Sequence, residues 1–477
     1  MGRLGAILLT GLVIVAVAGC GSSKPGSAAS SPTVQALSYF PTTSPFVATV
    51  ATNPKAAAVR QLQQSNPSYA VTATALFAQL SKLGIDYNKD IRPLFGNPVA
   101  AGAVSSSGAA GSQFLAAWVT KSANTLKTLV GKLHLSRTGS HDGATVYRAG
   151  SGALATNGAT VIFAGAPAIL NAALDRHAHN QGFETSAYAK ATTGISTGGV
   201  ITAFGDLRGV LATPQAAKAS GVPWVGAITR YGASISATQG AMTIRYHVST
   251  TGKPLTVSQL PIASGSSAPG VAGNLPVGVG IRDPTQIIDF FVDAVRRTDP
   301  AQYAQYQRQT ASLKRRSGVD ITSLGKMLNG DLTLESDTRT TIARAQVGDP
   351  AAARSMLAKL VRARSANGAQ VTALGGGVYR VHSDTTTLTV GVIAGQLVLG
   401  RATPAQLRAF AAAPAGPTSG GVGSVNFRIA LPDLLRLTLK HAPSPTAQQL
   451  MAMLGVMTGS AQADTSGLSG TVTIPVK

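Results

Sequence analysis

The chain has 477 residues and 44% hydrophobic content, which suits a globular protein with two or three ordinary cores. Its formal charge of +22 is spread along the sequence, with 18 Lys/Arg against 6 Asp/Glu over residues 20–273 and 21 against 12 over residues 274–477. Nucleic acid is disfavoured by the export signal described below and by the lack of zinc-finger spacing or a basic-aromatic platform; the charge suits anionic lipids, wall polymers or a solvated basic surface. The one cysteine, Cys20, excludes an internal disulfide.

The chain opens with a basic residue, Arg3, then sixteen uncharged, mostly apolar residues, and closes the run on Val17-Ala18-Gly19-Cys20. This is the layout of a secretory signal peptide. The last four residues resemble the lipobox of bacterial prolipoproteins. That resemblance implies cleavage between Gly19 and Cys20 and a diacylglyceryl group on the Cys20 sulfur. A spanning helix needs about 20 apolar residues, and here a Gly/Ser/Pro tether, residues 20–36, follows instead.

Beyond the tether the features repeat. Residues 80–102 align without a gap from residue 314 onward, placing Gly84 on Gly318, Asp86 on Asp320 and Gly96 on Gly330. Val146-Tyr147-Arg148 matches Val378-Tyr379-Arg380, ATVIFAG matches GQLVLGR, ITAFGDL matches VNFRIALPDL, and AMTIRYHV matches the closing TVTIPV. The shared order predicts a tandem duplication: a first copy over 37–250, a Pro/Gly/Ser-rich linker over 251–275, and a second copy over 276–477. Within each copy, helices are predicted where a capping residue precedes proline, at Asn53, Asn66, Asp283, Asp299 and Asp349. Short extended runs separated by Gly/Asn/Ser turns predict antiparallel hairpins. The expected fold class is α+β, with an antiparallel sheet in each copy and helices packed on one face.

Leu37, Tyr39, Phe40, Pro41, Phe46, Ala48, Asn53 and Pro54 are followed by GIDYNKDIRPLFGNPVA, with Gly84, Asp86, Asp90, Pro93 and Gly96 in a fixed order. This pattern resembles an uncharacterised family, a domain of unknown function, of bacterial and mainly actinobacterial surface lipoproteins. The resemblance covers most of the exported part. It implies a membrane anchor and supplies no activity, cofactor or catalytic residue.

Several constellations bear on chemistry. Asp86 and Asp90 could supply oxygen ligands to a hard cation, but helix capping by Asp86 and a salt bridge from Asp90 to Lys89 or Arg92 explain them better. His177 and His179 lack the further ligands a metal site needs, and the other histidines are scattered, so no metal is expected. The glycine run 375–377 precedes a strand and reads as a turn, not a phosphate cradle. No nucleophile elbow or carboxylate pair stands out, so no catalytic residue, no cofactor and no enzymatic activity are expected. The stripe Ile287, Ile288, Phe290, Phe291, Val292 and Val295 on helix 284–297 could lid a lipid groove or dock a partner; a core face against the sheet is its ordinary use.

The sequence thus predicts a lipid-anchored protein on the extracytoplasmic face of a cell membrane. Cys20 is its one expected modified residue, and its expected role is non-enzymatic binding or scaffolding in the envelope. Carriage of a lipid or other hydrophobic ligand is the alternative.

Overall fold

In a computed structural model of the protein, the described residues are all those other than 1–30, 54–79, 108–112, 215, 239, 266–267, 272, 321–326, 329, 384–385, 415–422, 439–447, 449–451, 453 and 476–477. The chain divides into two compact units, Met1–Thr213 with Thr229–Val248, and Pro214–Ile228 with Ser249–Lys477.

The first unit carries β1 (Phe46–Val50), β2 (Val99–Ala103), β3 (Phe114–Val119), β4 (Arg137–His141), β5 (Ala144–Ala149), β6 (Gly152–Asn157), β7 (Thr160–Ala164), β8 (Ile201–Asp206), β9 (Arg230–Thr238) and β10 (Ala241–Ser249). They pair in the order β10-β9-β8-β1-β2-β3-β7-β6-β5-β4. The run β4 to β7 is a meander of hairpins. Asp142 and Gly143, at φ 45° and 75°, turn the first of them in the left-handed conformation that a two-residue hairpin loop demands.

Helices cover both faces of this sheet rather than one. Adjacent strand residues point to opposite sides, and FLAAWV in β3 is apolar on both. Leu115 and Ala117 join Ala100 and Ile162 beneath α1 (Pro32–Leu37) and α3 (Pro167–Ala178). Trp118 joins Val99 and Val161 on the other side, against α2 (Ala123–Lys132) and the short helical turns over 87–94. A strand apolar on both faces has to be covered twice.

The second unit carries β11 (Val277–Ile281), β12 (Leu332–Ser336), β13 (Thr341–Gln346), β14 (Gln370–Ala373), β15 (Val378–Ser383), β16 (Thr386–Ile393), β17 (Gln396–Gly400), β18 (Val425–Ala430), β19 (Val456–Asp464) and β20 (Gly467–Pro475). Their order is β20-β19-β18-β11-β12-β13-β17-β16-β15-β14, antiparallel throughout. It is the order of the first sheet with each strand number raised by ten. Its principal helices are α4 (Pro284–Thr298), α5 (Pro300–Ser317), α6 (Pro350–Ala366) and α7 (Pro404–Ala412). Val398 faces α7 with Ile342, Leu407 and Phe410, whereas its neighbour Leu397 faces α6 with Val392, Leu357 and Val361.

The capping residues behave unevenly. Asp299 accepts from Gln302 N at 3.0 Å, and Asp349 accepts from Ala351 N and Ala352 N at 2.9 Å. Asp283 sits at φ 45° and makes no side-chain cap. Gly318 ends α5 in the left-handed conformation, its N–H on Lys314 O at 2.8 Å. Pro54 and Asn66-Pro67 lie outside the described residues.

Three boundaries differ from the sequence reading. Residues 31–36, assigned to the tether from sequence, belong to the folded body, because Ser31 caps α1, and Ala36 and Leu37 are fully buried. The stretch 251–275 packs into the second unit with Leu260, Ala268 and Val271 buried; small residues let a Gly/Ser-rich segment lie close against a sheet. Residues 214–228, between β8 and β9 in sequence, also group with the second unit.

Candidate functional site

Gly19 and Cys20, the residues on which the sequence reading rests most heavily, lie outside the described residues. Among the described residues no helix is long and apolar enough to cross a membrane.

Asp86 caps the turn Tyr87–Ile91, accepting from Asn88 N at 2.8 Å and Lys89 N at 3.0 Å. Asp90 is 5% exposed and accepts from Asp86 N at 2.8 Å and from Lys132 Nζ at 2.6 Å. Its ion partner is therefore Lys132 on α2, 42 residues away, and not Lys89 or Arg92. The Asp90 carboxylate turns inward beneath α2, where the long Lys132 arm reaches it and its own neighbours in sequence do not. The Lys132 ammonium holds the Asp90 carboxyl below the usual carboxylate range, aided by the Asp86 N–H. The two carboxylates face different partners and do not converge on a cation.

His177 and His179 also part company. His177 stacks on Tyr39, ring centroids 4.3 Å apart, and its Nδ1 lies 2.6 Å from Ser38 Oγ. Burial lowers its affinity for a proton and pushes the Tyr39 phenol up to about 12. His179 Nδ1 meets Asp175 O at 2.7 Å, closing the end of α3. A third histidine that sequence left scattered, His141, has Nε2 2.6 Å from Asp175 Oδ1 and 3.6 Å from Asp142 Oδ2. These three groups lie close enough to share an ion. Their partial exposure and mutual pairing also make them a latch between the β4–β5 turn and α3. His141 holds Asp175 below the ordinary carboxylate range.

The second unit has a polar site that sequence spacing did not reveal. Glu335 on β12 is 1% exposed, and its carboxylate accepts from Gly273 N, Asn274 N and Leu275 N at 2.9, 3.0 and 3.2 Å. Arg344 on β13, 7% exposed, donates from Nη1 to Phe410 O and Ala413 O at 2.6 and 2.5 Å and lies over the Phe410 ring, 5.0 Å from its centroid. Beside Arg344 is a pocket of about 180 Å³, lined by Asp331, Thr333, Gln346 and Gln396 with Pro269 and Ala413 at its rim. The register explains the gathering: Thr333 pairs with Arg344 and Gln346 with Gln396, so all point to the face that α7 covers. Gln396 Oε1 is buried without a partner. Burial raises the Asp331 carboxyl above its usual range, opposed by the Arg282 charge. The pocket's size and polar lining suit several waters or a small polar molecule. Alternation of apolar and polar residues along β12 and β13 was the only sequence signal, and it does not distinguish a polar core from a wet surface.

Residues 4–225 match the model of a family described as a protein of unknown function (DUF3352). No curated protein matches the chain. Among solved structures, crystal form III of TP0453 is 10% identical, covers 46% of this chain and 82% of that one, and has a TM-score of 0.27. Crystal form I of TP0453 is 8% identical, covers 48% and 82%, and has a TM-score of 0.28. Similarity that slight carries no argument about this chain. The family match spans the apolar leader, the Asp86/Asp90 block and the sheet as far as β8, and over these residues the chain is similar to that uncharacterised family.

Proposed function

We propose that the chain is an exported lipoprotein, held at the outer face of a cell membrane by a diacylglyceryl group on Cys20. Its two β-sheet units bind or organise envelope components without catalysis. The observation that carries this reading is the order of Arg3, sixteen uncharged residues and Val17-Ala18-Gly19-Cys20. Two acyl chains give a stable anchor, each buried methylene contributing about 0.8 kcal/mol. Ser31, which caps the first helix, follows Cys20 by eleven positions. Fully extended, that spacing reaches about 40 Å at most, so the folded body works close to the bilayer.

A non-catalytic reading is supported by how three buried charges are used. Asp90 is tied to Lys132, Glu335 to three backbone amides and Arg344 to two backbone carbonyls. These groups hold structure together instead of being poised for proton transfer. The tandem arrangement is supported by the identical strand order within the two units.

The test is metabolic labelling with an alkyne-bearing palmitate analogue in the native host. Wild-type protein takes up label and Cys20→Ala does not; equal labelling of the variant would refute the anchor.

A further inference from the structure

We propose that the helical pair α4–α5 of the second unit is a membrane-contacting element that lays the apolar side of α4 on an anionic lipid bilayer. At 100° per residue, Ile287, Ile288, Phe291 and Val295 share one side of α4, and Asp289, Asp293 and Arg296 share the other. A core helix would bury that apolar side. Here Pro284 is the only buried residue of α4; Ile288 is 46% and Phe291 67% exposed. No residue of α5 is buried either.

The helix is held in this pose by polar contacts from its first turn. Gln286 Nε2 donates to Val257 O and Leu260 O at 3.2 and 2.7 Å, and Thr285 Oγ1 donates to Leu328 O at 3.3 Å. The first of these fixes the Val257–Gln259 turn against α4, and Val257 is 55% exposed in its turn. Two large apolar side chains, Ile288 and Phe291, thus stay in water on one side of α4, where burial of each would be favourable.

Charge and tethering identify the occupant. Arg296 and Arg297 end α4, and Arg308, Lys314, Arg315 and Arg316 lie along α5, against Asp289, Asp293 and Asp299. The whole chain carries +22. An amphipathic helix with excess Lys/Arg binds an anionic interface through apolar burial plus electrostatic attraction. In so far as the Cys20 anchor keeps the body within about 40 Å of a bilayer, the inference rests on the proposed function; the surface itself does not.

The test uses the chain from residue 21 to 477, which lacks the leader and Cys20, so vesicle binding and lipid labelling can fail separately. Cosedimentation is measured with vesicles of phosphatidylcholine alone and of equal parts phosphatidylcholine and phosphatidylglycerol. Binding to the mixed vesicles is expected, weaker at about 0.5 M salt, and at least tenfold weaker for the double variant Ile288→Ser/Phe291→Ser. Because both side chains are exposed, the variant should unfold in urea with the wild-type midpoint, which separates lost contact from lost fold. Failure of the wild type to bind, or equal binding by the variant, overturns the proposal. So does sedimentation velocity showing a wild-type dimer that the variant abolishes, which would assign the surface to a second copy.

Discussion

The two units share a strand order and cover the same sheet face by different means. In the first, the segment leading into β1 is α1, and Ala36, Leu37, Tyr39 and Phe40 press hydrocarbon against the sheet with at most 2% exposure. In the second, the segment leading into β11 is extended and pinned by polar groups. Glu335 holds its amides at 273–275, and Asn426 Nδ2 donates to Ala268 O at 3.1 Å. Gly278 and Gly280 make the approach possible: a Cβ on Gly280 would lie 2.0 Å from Pro269 O, and one on Gly278 2.0 Å from Val271 Cγ1. An apolar cover loses stability in proportion to what is removed. A polar cover is nearly all or none, because one lost acceptor leaves several buried donors unsatisfied.

The protein's two tryptophans allow this contrast to be broken or sharpened, since Trp118 lies in the first unit and Trp224 in the second. Single-tryptophan variants followed in urea report each unit by its own probe. Phe40→Ala should lower the stability read at Trp118 by about 3–5 kcal/mol. A shift of the same size at Trp224 would deny that the units have separate cores. Glu335→Ala should lower the stability read at Trp224 by about 3 kcal/mol, through the three orphaned amides. Glu335→Gln, which keeps one acceptor oxygen, should lose less; equal losses would mean that volume matters more than acceptance.

Smaller effects come from titration. Asp90→Asn should cost about 1.5–3 kcal/mol at pH 7 by removing a charged acceptor from Lys132. The folded-state pKa of Asp90 is depressed, so its contribution is present above the unfolded value near 4 and is lost as pH falls below it. The curves of the wild type and the Asp90→Asn variant, read at Trp118, should therefore converge in acid. Asp331 has the opposite sign. Its pKa is raised in the folded state, so its favourable contribution is present at low pH and lost as pH rises through the folded value. Asp331→Asn should slightly raise stability at pH 7 at Trp224, with no gain below about pH 4. A variant less stable at pH 7 would show that the ionised carboxylate is needed in the pocket.

Much of the fold was legible because strand and turn signals are local. ATVIFAG, GQLVLGR and VNFRIALPDL, runs matched by the repeat, contain β7, β17 and β18. The Asp-Pro punctuation located the starts of α4, α5 and α6. What was not legible depends on contacts across the chain. Lys132 as the partner of Asp90, Glu335 gripping residues 273–275 and the Gln346–Gln396 pairing join residues that no spacing rule connects. The stripe on α4 was visible, but a sequence cannot say whether an apolar side meets a sheet or water. The exposure of Phe291 could be read only from the fold.

The N-terminus of the mature protein tests the central claim most directly. Protein extracted from the host with detergent and analysed by intact mass and tryptic mapping should begin at Cys20, carrying a diacylglyceryl group on its sulfur. A chain that still begins at Met1, or a Cys20 thiol without lipid, would contradict the account.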